Sequence, residues 1–168
     1  MASKFYFEVR IDALDSTSGG LIRVGAGNSS WATSMGGSSS SFYVTSAVNG
    51  NAAAYTSSGL CQFAEASPVA GTACPVAHSG SVIGMAIDTS NGGVWWSVDG
   101  VWTSNGGVFN PSTPTFTVGG LTSSNVTGGV YPFIGLNAPM GSSPQVTLVT
   151  SGAALKSPPP SGFTAIEP

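Results

Sequence analysis

Apolar and polar residues alternate along much of the chain. Residues 4–14, KFYFEVRIDAL, place apolar side chains at every second position: Phe5, Phe7, Val9 and Ile11. Such alternation is typical of a half-buried antiparallel strand. Helical spacing of apolar residues is absent from stretches that lack Gly and Pro. The pattern therefore predicts an all-β chain.

Further segments with this alternation, or with short apolar runs between turn signals, predict the remaining strands. These segments are residues 20–26, 40–48, 52–57, 81–87, 93–99, 114–120, 130–138 and 144–152. Many short strands separated by turn residues indicate two stacked sheets. We expect a two-layer antiparallel β-sandwich of jelly-roll-like type, with long Gly/Ser-rich loops at residues 27–41 and 103–129.

The C-terminal segment has a different character, because prolines occupy positions 158–160. Consecutive prolines favour an extended polyproline II conformation. We therefore expect one sandwich domain at residues 1–153 and an extended Pro-rich arm that leaves it at residues 154–168. Phe163 and Ile166 of this arm dock either on the domain itself or on a neighbour.

Two turn signals flank the strand at residues 93–99. Asn91-Gly92 suits a positive φ, and Asp99-Gly100 is a strong signal for a two-residue hairpin turn. Asp88 and Asp99 lie at opposite ends of this strand, about 17 Å apart at the usual rise per residue. Paired catalytic carboxylates lie closer, at roughly 5–9.5 Å. We interpret Asp88, Gly92, Asp99 and Gly100 as structural turn residues, whose carboxylates accept backbone N–H bonds.

Adjacent tryptophans in the same strand cannot face the same way. Trp96 shares its face with Val94 and Val98, so we assign it to the core. Trp95 faces the opposite side. It is either covered by a loop or exposed as part of a contact surface.

Composition excludes several classes of partner. Of the 168 residues, 41% are hydrophobic and only 7% are charged, with a net charge of -3, so we expect a folded chain. Four basic residues cannot form a nucleic-acid-binding stripe, and no apolar run is long enough for membrane insertion. The first residues lack the apolar core of a signal peptide. A surface so poor in charge suits a protein held in a large assembly better than a free monomer.

Motifs for catalysis are absent from the sequence, so no catalytic, cofactor or metal site is predicted. His78 is the single histidine, and we interpret it as a loop residue. Cys61 and Cys74 form one disulfide or remain free thiols. A zinc site would need two further ligands from elsewhere.

Four segments, in order, resemble the SPRY domain family. KFYFEVRIDAL resembles the family's opening strand, and GSVIGMAIDTSNGGVWWSVDGVW resembles its most recognisable pair of strands, which ends at an Asn/Asp-Gly hairpin. GGVYPFIGL resembles a later Tyr-Pro strand, and PQVTLVTSG the closing strand. The resemblance spans residues 4–152 and implies a twisted two-layer antiparallel sandwich.

The chain departs from the family pattern at Ser81, where an Asp is usual, and matches poorly between Ala26 and Gly80. Animal SPRY domains carry much of their peptide-binding surface in that region. In its low content of charged residues, the chain is more similar to SPRY-like modules of bacteriophage and viral structural proteins. The resemblance thus implies a non-enzymatic virion surface protein, either a capsid decoration protein or a tail or capsid fibre module. Its expected partners are other virion proteins and further copies of itself, in a homo-oligomer.

Two other functions compete with this interpretation. A peptide-binding SPRY module of a cell would use Trp31, Tyr43, Trp102 and Asn137. A carbohydrate-binding sandwich would stack sugars, such as a host-surface glycan, on Trp31, Trp95 and Trp102.

Overall fold

The computed structural model describes residues 3–13, 21–28, 44–49, 59–63, 73–74, 77–103, 107–117, 122–124, 129–137 and 143–166. Within these ranges the regular structure is strand, apart from one turn of 3₁₀ helix at Gly152–Ala154. The predicted all-β class is therefore confirmed.

The larger sheet is built around the first strand of the chain. Seven of the described strands belong to it, in the order β11-β1-β6-β7-β8, with β12 beside β1 and β9 beside β7. Their bounds are β1 Lys4–Ala13, β6 Val82–Asp88, β7 Gly93–Val98, β8 Val101–Trp102, β9 Phe116–Thr117, β11 Gln145–Val149 and β12 Thr164–Ala165. All pairings are antiparallel except that of β1 with β12, which is parallel.

The smaller sheet contains five described strands in the order β10-β2-β3-β4-β5, all antiparallel. Their bounds are β2 Leu21–Asn28, β3 Val44–Asn49, β4 Gly59–Phe63, β5 Ala73–Cys74 and β10 Val130–Asn137. The sequence pattern did not predict β4 and β5, because GLCQF and AC are short and do not alternate. The strand predicted at residues 52–57 lies outside the described residues.

The main core lies between the two sheets, as a two-layer sandwich requires. Every second residue of β1, β6 and β7 enters it, and β2 contributes Val24 and Ala26. Its members from the larger sheet are Phe7, Val9, Ile11, Ile83, Met85, Ile87, Val94, Trp96 and Val98. Trp96 is fully buried there, on the face that the alternation assigned to it.

The turns at the two ends of β7 have the geometry that their residues favour. Asp99 and Gly100 have φ values of 52° and 81°, which define a type I′ turn between paired Val98 and Val101. Gly92 has a φ of 74°, in the left-handed region that glycine enters without steric cost. These turns fix the register of β6, β7 and β8.

The C-terminal segment does not leave the sandwich, and the expectation that it does is corrected here. After the 3₁₀ turn, residues 155–166 fold back over the outer face of the larger sheet, and β12 pairs with β1. The segment docks on its own domain because the outer face carries apolar side chains that would otherwise be exposed to solvent. We call residues 155–166 the C-terminal arm.

Candidate protein-binding face

The C-terminal arm is held partly by main-chain hydrogen bonds. Phe5 and Tyr6 of β1 are in register with Thr164 and Ala165. The backbone N–H of Ile166 donates to the Tyr6 carbonyl at 2.9 Å, and the Thr164 hydroxyl donates to the Lys4 carbonyl at 3.1 Å. The end of the arm is thus an added strand, which is a recurring way for a sheet to bind a peptide.

A buried carboxylate holds the beginning of the arm. Because side chains alternate along β1, Glu8 points towards the outer face, and yet it is only 1% exposed. One carboxylate oxygen, Oε2, accepts the backbone N–H of Lys156 at 2.7 Å, and the other, Oε1, accepts that of Ser157 at 3.0 Å. Because a buried charge without partners is costly, these two N–H groups are part of what makes the position of Glu8 tolerable.

Tyr6 completes the coordination of this carboxylate. Its hydroxyl donates to Glu8 Oε1 at 2.9 Å. Burial, followed by the neighbouring Glu8 carboxylate, raises the pKa of the Tyr6 hydroxyl far above its usual value. The hydroxyl therefore remains protonated and acts as a donor. We call Tyr6, Glu8 and the two arm N–H groups the carboxylate clasp.

Gly84 leaves the space in which the tyrosine lies. A Cβ atom at position 84 would lie 2.6 Å from the Tyr6 hydroxyl oxygen and 2.5 Å from the Ser97 hydroxyl oxygen. Both distances are shorter than a carbon atom tolerates. Residue 84 pairs with Glu8 on one side and with Ser97 on the other, so a larger side chain would press directly on the clasp.

Five aromatic rings form a second core under the arm. The Trp95 ring centroid lies 5.7 Å from that of Phe109 and 5.5 Å from that of Phe163. Trp102 packs edge-on against Phe109 at 4.9 Å, and Tyr6 lies 6.4 Å from Trp102. Tilted and edge-to-face contacts at these separations are favourable. Phe163 is the arm's contribution, and it is itself buried.

Trp95 is corrected from a candidate contact residue to a core residue. It is 1% exposed, and its indole N–H donates to the Asn110 carbonyl at 2.7 Å. Of the two fates open to an outward-facing tryptophan, cover by the chain's own segments is the one observed. Its indole has no surface left on which a sugar or a partner could stack.

The two turn aspartates also fasten the two ends of the arm. Asp99 Oδ1 accepts the Val82 N–H at 2.9 Å and pairs with the Lys156 ammonium at 3.1 Å. Asp88 pairs with Lys4 at 3.1 Å, and the Lys4 ammonium lies 5.6 Å from the centre of the Phe163 ring. Each aspartate is thus linked through one lysine to one end of the arm.

Hydrogen bonding controls the ionisation of these carboxyl groups. Burial alone would raise the pKa of Asp88, but hydrogen bonds from Ser90 and Lys4 outweigh it and lower that pKa. Burial would also raise the pKa of Asp99, and bonds from Val82, Ser81 and Lys156 lower it. Both groups are therefore stabilised as carboxylates.

Of the other predicted contact residues, the structure describes Trp102 and the backbone of Asn137. Trp31 and Tyr43 lie outside the described residues. Asn137 ends β10 on the smaller sheet, opposite Leu21, and its side chain is not among those described. Trp102 is half-buried within the aromatic cluster. Trp95 and Trp102 come together in the aromatic cluster, where both contact Phe109.

Sequence reasoning missed Tyr6, Glu8 and Gly84, which shape this face. It did name Phe163 as a docking residue, and Phe163 docks on the domain itself. One signal was present, because Tyr6 is an aromatic residue on the face of β1 opposite to that of Phe7 and Val9. The burial of Glu8 was not predicted, because a glutamate in an alternating strand is normally exposed.

Two exposed valines adjoin the aromatic cluster. Val101 is 53% exposed and Val108 is 64% exposed. A Cβ at Gly107, which bridges Trp102, would be 3.3 Å from a methyl group of Val101, and Val108 follows Gly107 in the sequence. We call Val101 and Val108 the valine patch.

Carboxylates, main-chain groups and aromatic rings in this arrangement suit recognition of an extended peptide. In the part of the chain that the structure describes, no group of three His, Cys, Asp or Glu residues could hold a metal ion. Nor does that part contain a helix long and apolar enough to cross a bilayer. The side chains of Cys61 and Cys74 are not among those described.

The family model described as SPRY domain matches residues 4–150 of this chain. No curated protein matches its sequence.

Proposed function

The chain belongs to the SPRY domain family, and from that premise we propose that it is a non-enzymatic structural protein of a virus particle surface, acting through protein contacts. Membership of the family itself indicates a protein–protein interaction module. The virion setting, as a capsid decoration protein or a fibre module assembled in the host cytoplasm, is our proposal.

The binding function is carried by one observation, the docking of an extended segment on the outer face of the larger sheet. That segment is recognised through main-chain pairing with β1, a buried carboxylate and an aromatic anchor. Main-chain pairing and a pocket for an anchoring side chain are the means by which sheets recognise extended peptides in general. With the arm in place, both residues of the valine patch remain exposed, and we propose them as contacts with other particle proteins.

Composition supports the particle setting. A chain with 7% charged residues and 24 glycines has little electrostatic protection against association. Such a surface is tolerable where the protein is held among other subunits. A decoration protein would occupy symmetric positions on a capsid lattice, as a closed homo-oligomer.

The test is co-sedimentation with purified particles that lack the protein. The wild-type chain is expected to sediment at a fixed number of copies per particle. Val108→Asp is expected to reduce that binding without changing the melting temperature, because Val108 is exposed in the free chain. The matched control is Ser112→Asp, a polar exposed position on the same segment. Failure of the wild-type chain to sediment with any particle would contradict the proposal.

A peptide-binding role in a cell is the second candidate, and the carboxylate clasp favours it. A glycan-binding role is not supported by the aromatic residues described, because Trp95 is buried and Trp102 is half-buried. Recovery of one short sequence motif by the purified chain, with no affinity for particles, would favour the cellular role.

A further inference from the structure

The contacts of the C-terminal arm do not depend on the arm's belonging to the same molecule. The carboxylate clasp uses backbone N–H groups, β12 uses main-chain pairing, and Phe163 fills a space between aromatic rings. An identical arm from another copy would make every one of these contacts. The two arrangements therefore differ little in contact energy.

The connection that leads into the arm can open at small cost. The 3₁₀ turn Gly152–Ala154 buries no residue, and residues 151–154 are all exposed. Four residues reach about 13 Å when extended. Straightening this segment loses one short turn and no buried apolar surface.

An open face, by contrast, is strongly disfavoured. Removal of the arm would take two hydrogen-bond donors from the Glu8 carboxylate and uncover the Trp95 ring. A face that loses its own arm must therefore be covered by another. The prolines at 158–160 keep a released arm extended, which reduces the ordering cost when it docks again.

We propose that the outer face of the larger sheet is an arm-binding site that also takes the C-terminal arm of a second copy, so that neighbouring copies are linked by exchanged arms. This inference rests on the proposed role in a multi-copy particle, which supplies the proximity. A tethered arm acts at an effective concentration on the order of 1 mM. Exchange therefore competes only where copies are held at a similar local density, and the chain is a closed monomer in dilute solution.

The test mixes two complementary variants of the full chain. Phe163→Ala weakens the arm and leaves the face intact, whereas Glu8→Gln weakens the face and leaves the arm intact. In Glu8→Gln an amide NH₂ replaces one of the two carboxylate oxygens, so one of the two arm N–H groups loses its acceptor. At about 1 mM, with one variant ¹⁵N-labelled, native mass spectrometry is expected to show a heterodimer that neither variant forms alone. A mixture that remains monomeric, while both variants keep the wild-type circular dichroism spectrum, overturns the proposal.

A second measurement does not require the variants to fold. A fluorescent peptide of residues 155–166 is titrated against the wild-type chain, with the same peptide carrying Phe163→Ala as the matched control. Loss of a buried aromatic anchor is expected to weaken binding at least about 30-fold. Equal binding of the two peptides, or no binding of the wild-type peptide at millimolar chain concentration, overturns the proposal. Co-sedimentation with particles is measured separately, so failure of exchange and failure of the particle role are distinguishable.

Discussion

Gly84→Ala is expected to destabilise the chain and to loosen the C-terminal arm. The added methyl group would lie 2.6 Å from the Tyr6 hydroxyl oxygen and 2.5 Å from the Ser97 hydroxyl oxygen. The Ser97 hydroxyl can rotate away. The Tyr6 ring is buried and its hydroxyl is bonded to Glu8, so it yields only by leaving the carboxylate clasp.

The magnitude follows from the less costly of two responses. If Tyr6 stays, the overpacked site costs about 1–3 kcal/mol. If Tyr6 moves, the loss of a hydrogen bond to a buried charge costs about 1.5–3 kcal/mol. A Gly-to-Ala change also lowers the conformational entropy of the unfolded chain, which stabilises the folded state by about 0.4–1 kcal/mol and offsets part of this cost. The net loss is about 1–2 kcal/mol, which lowers the melting temperature by roughly 2–8 °C in a chain of this size.

The assay combines thermal unfolding with hydrogen exchange at the arm. Faster exchange is expected at the backbone amides of Lys156 and Ser157, because they donate to the displaced carboxylate. Gly152→Ala is the matched control, since a Cβ there meets Ala165 at an ordinary 3.9 Å. It is expected to leave the melting temperature unchanged or slightly raised, and the arm protected.

The double variant with Tyr6→Phe decides whether the clash is the cause. Without the hydroxyl, the closest remaining tyrosine atom is Cε2 at 3.3 Å, so Gly84→Ala should cost much less in that background. Equal costs in both backgrounds, or a Gly84→Ala chain as stable as the wild type, would refute the reasoning.

Three other changes probe the same face. Trp95→Ala is expected to lower the free energy of unfolding by about 3–5 kcal/mol in urea titrations, because it leaves a large cavity in the second core. A loss below about 1 kcal/mol would contradict the burial of Trp95. Asp99→Asn should cost under about 1 kcal/mol, since Asn tolerates the φ of 52° and accepts the Val82 N–H. Asp99→Val should cost about 1–3 kcal/mol or more. Thermal unfolding measures both costs. The lowered pKa values of Asp88 and Asp99 stabilise the fold above about pH 4, and that stabilisation is lost as the pH falls through the lowered values in the folded state. Melting temperatures from pH 7 to pH 2 should therefore drop at the acid end, less so for Asp88→Asn; an unchanged profile would contradict the assignment.

Period-two alternation was sufficient for the main core. It placed Phe7 and Val9 inside from β1, and it separated Trp95 from Trp96 without any tertiary information. These residues are predictable because a strand has only two faces, and a turn such as Asp99-Gly100 fixes where the next strand begins. The short β4 and β5 strands escaped prediction because five and two residues carry too little pattern.

The arm and its clasp could not be predicted in the same way. Residues 107–117 and 155–166 have no regular period, and their positions are set by what they cover. A run of prolines is compatible with an arm in solvent and with an arm on a sheet. The burial of Glu8 depends on two backbone N–H groups almost 150 residues away, at separations of 148 and 149 residues.

One property of the outer face could nevertheless be inferred from the sequence, namely that it contains apolar side chains that must be covered. Tyr6, Ala86 and Trp95 are neighbours across three paired strands, so they form an apolar row on the face turned away from the main core. Two aromatic rings side by side require a cover of comparable size. Phe109 and Phe163 lie outside the long strands and are the aromatic residues that supply it. Docking of Phe163 on its own domain, which the sequence left as one of two alternatives, is therefore the alternative that this row of apolar side chains favours.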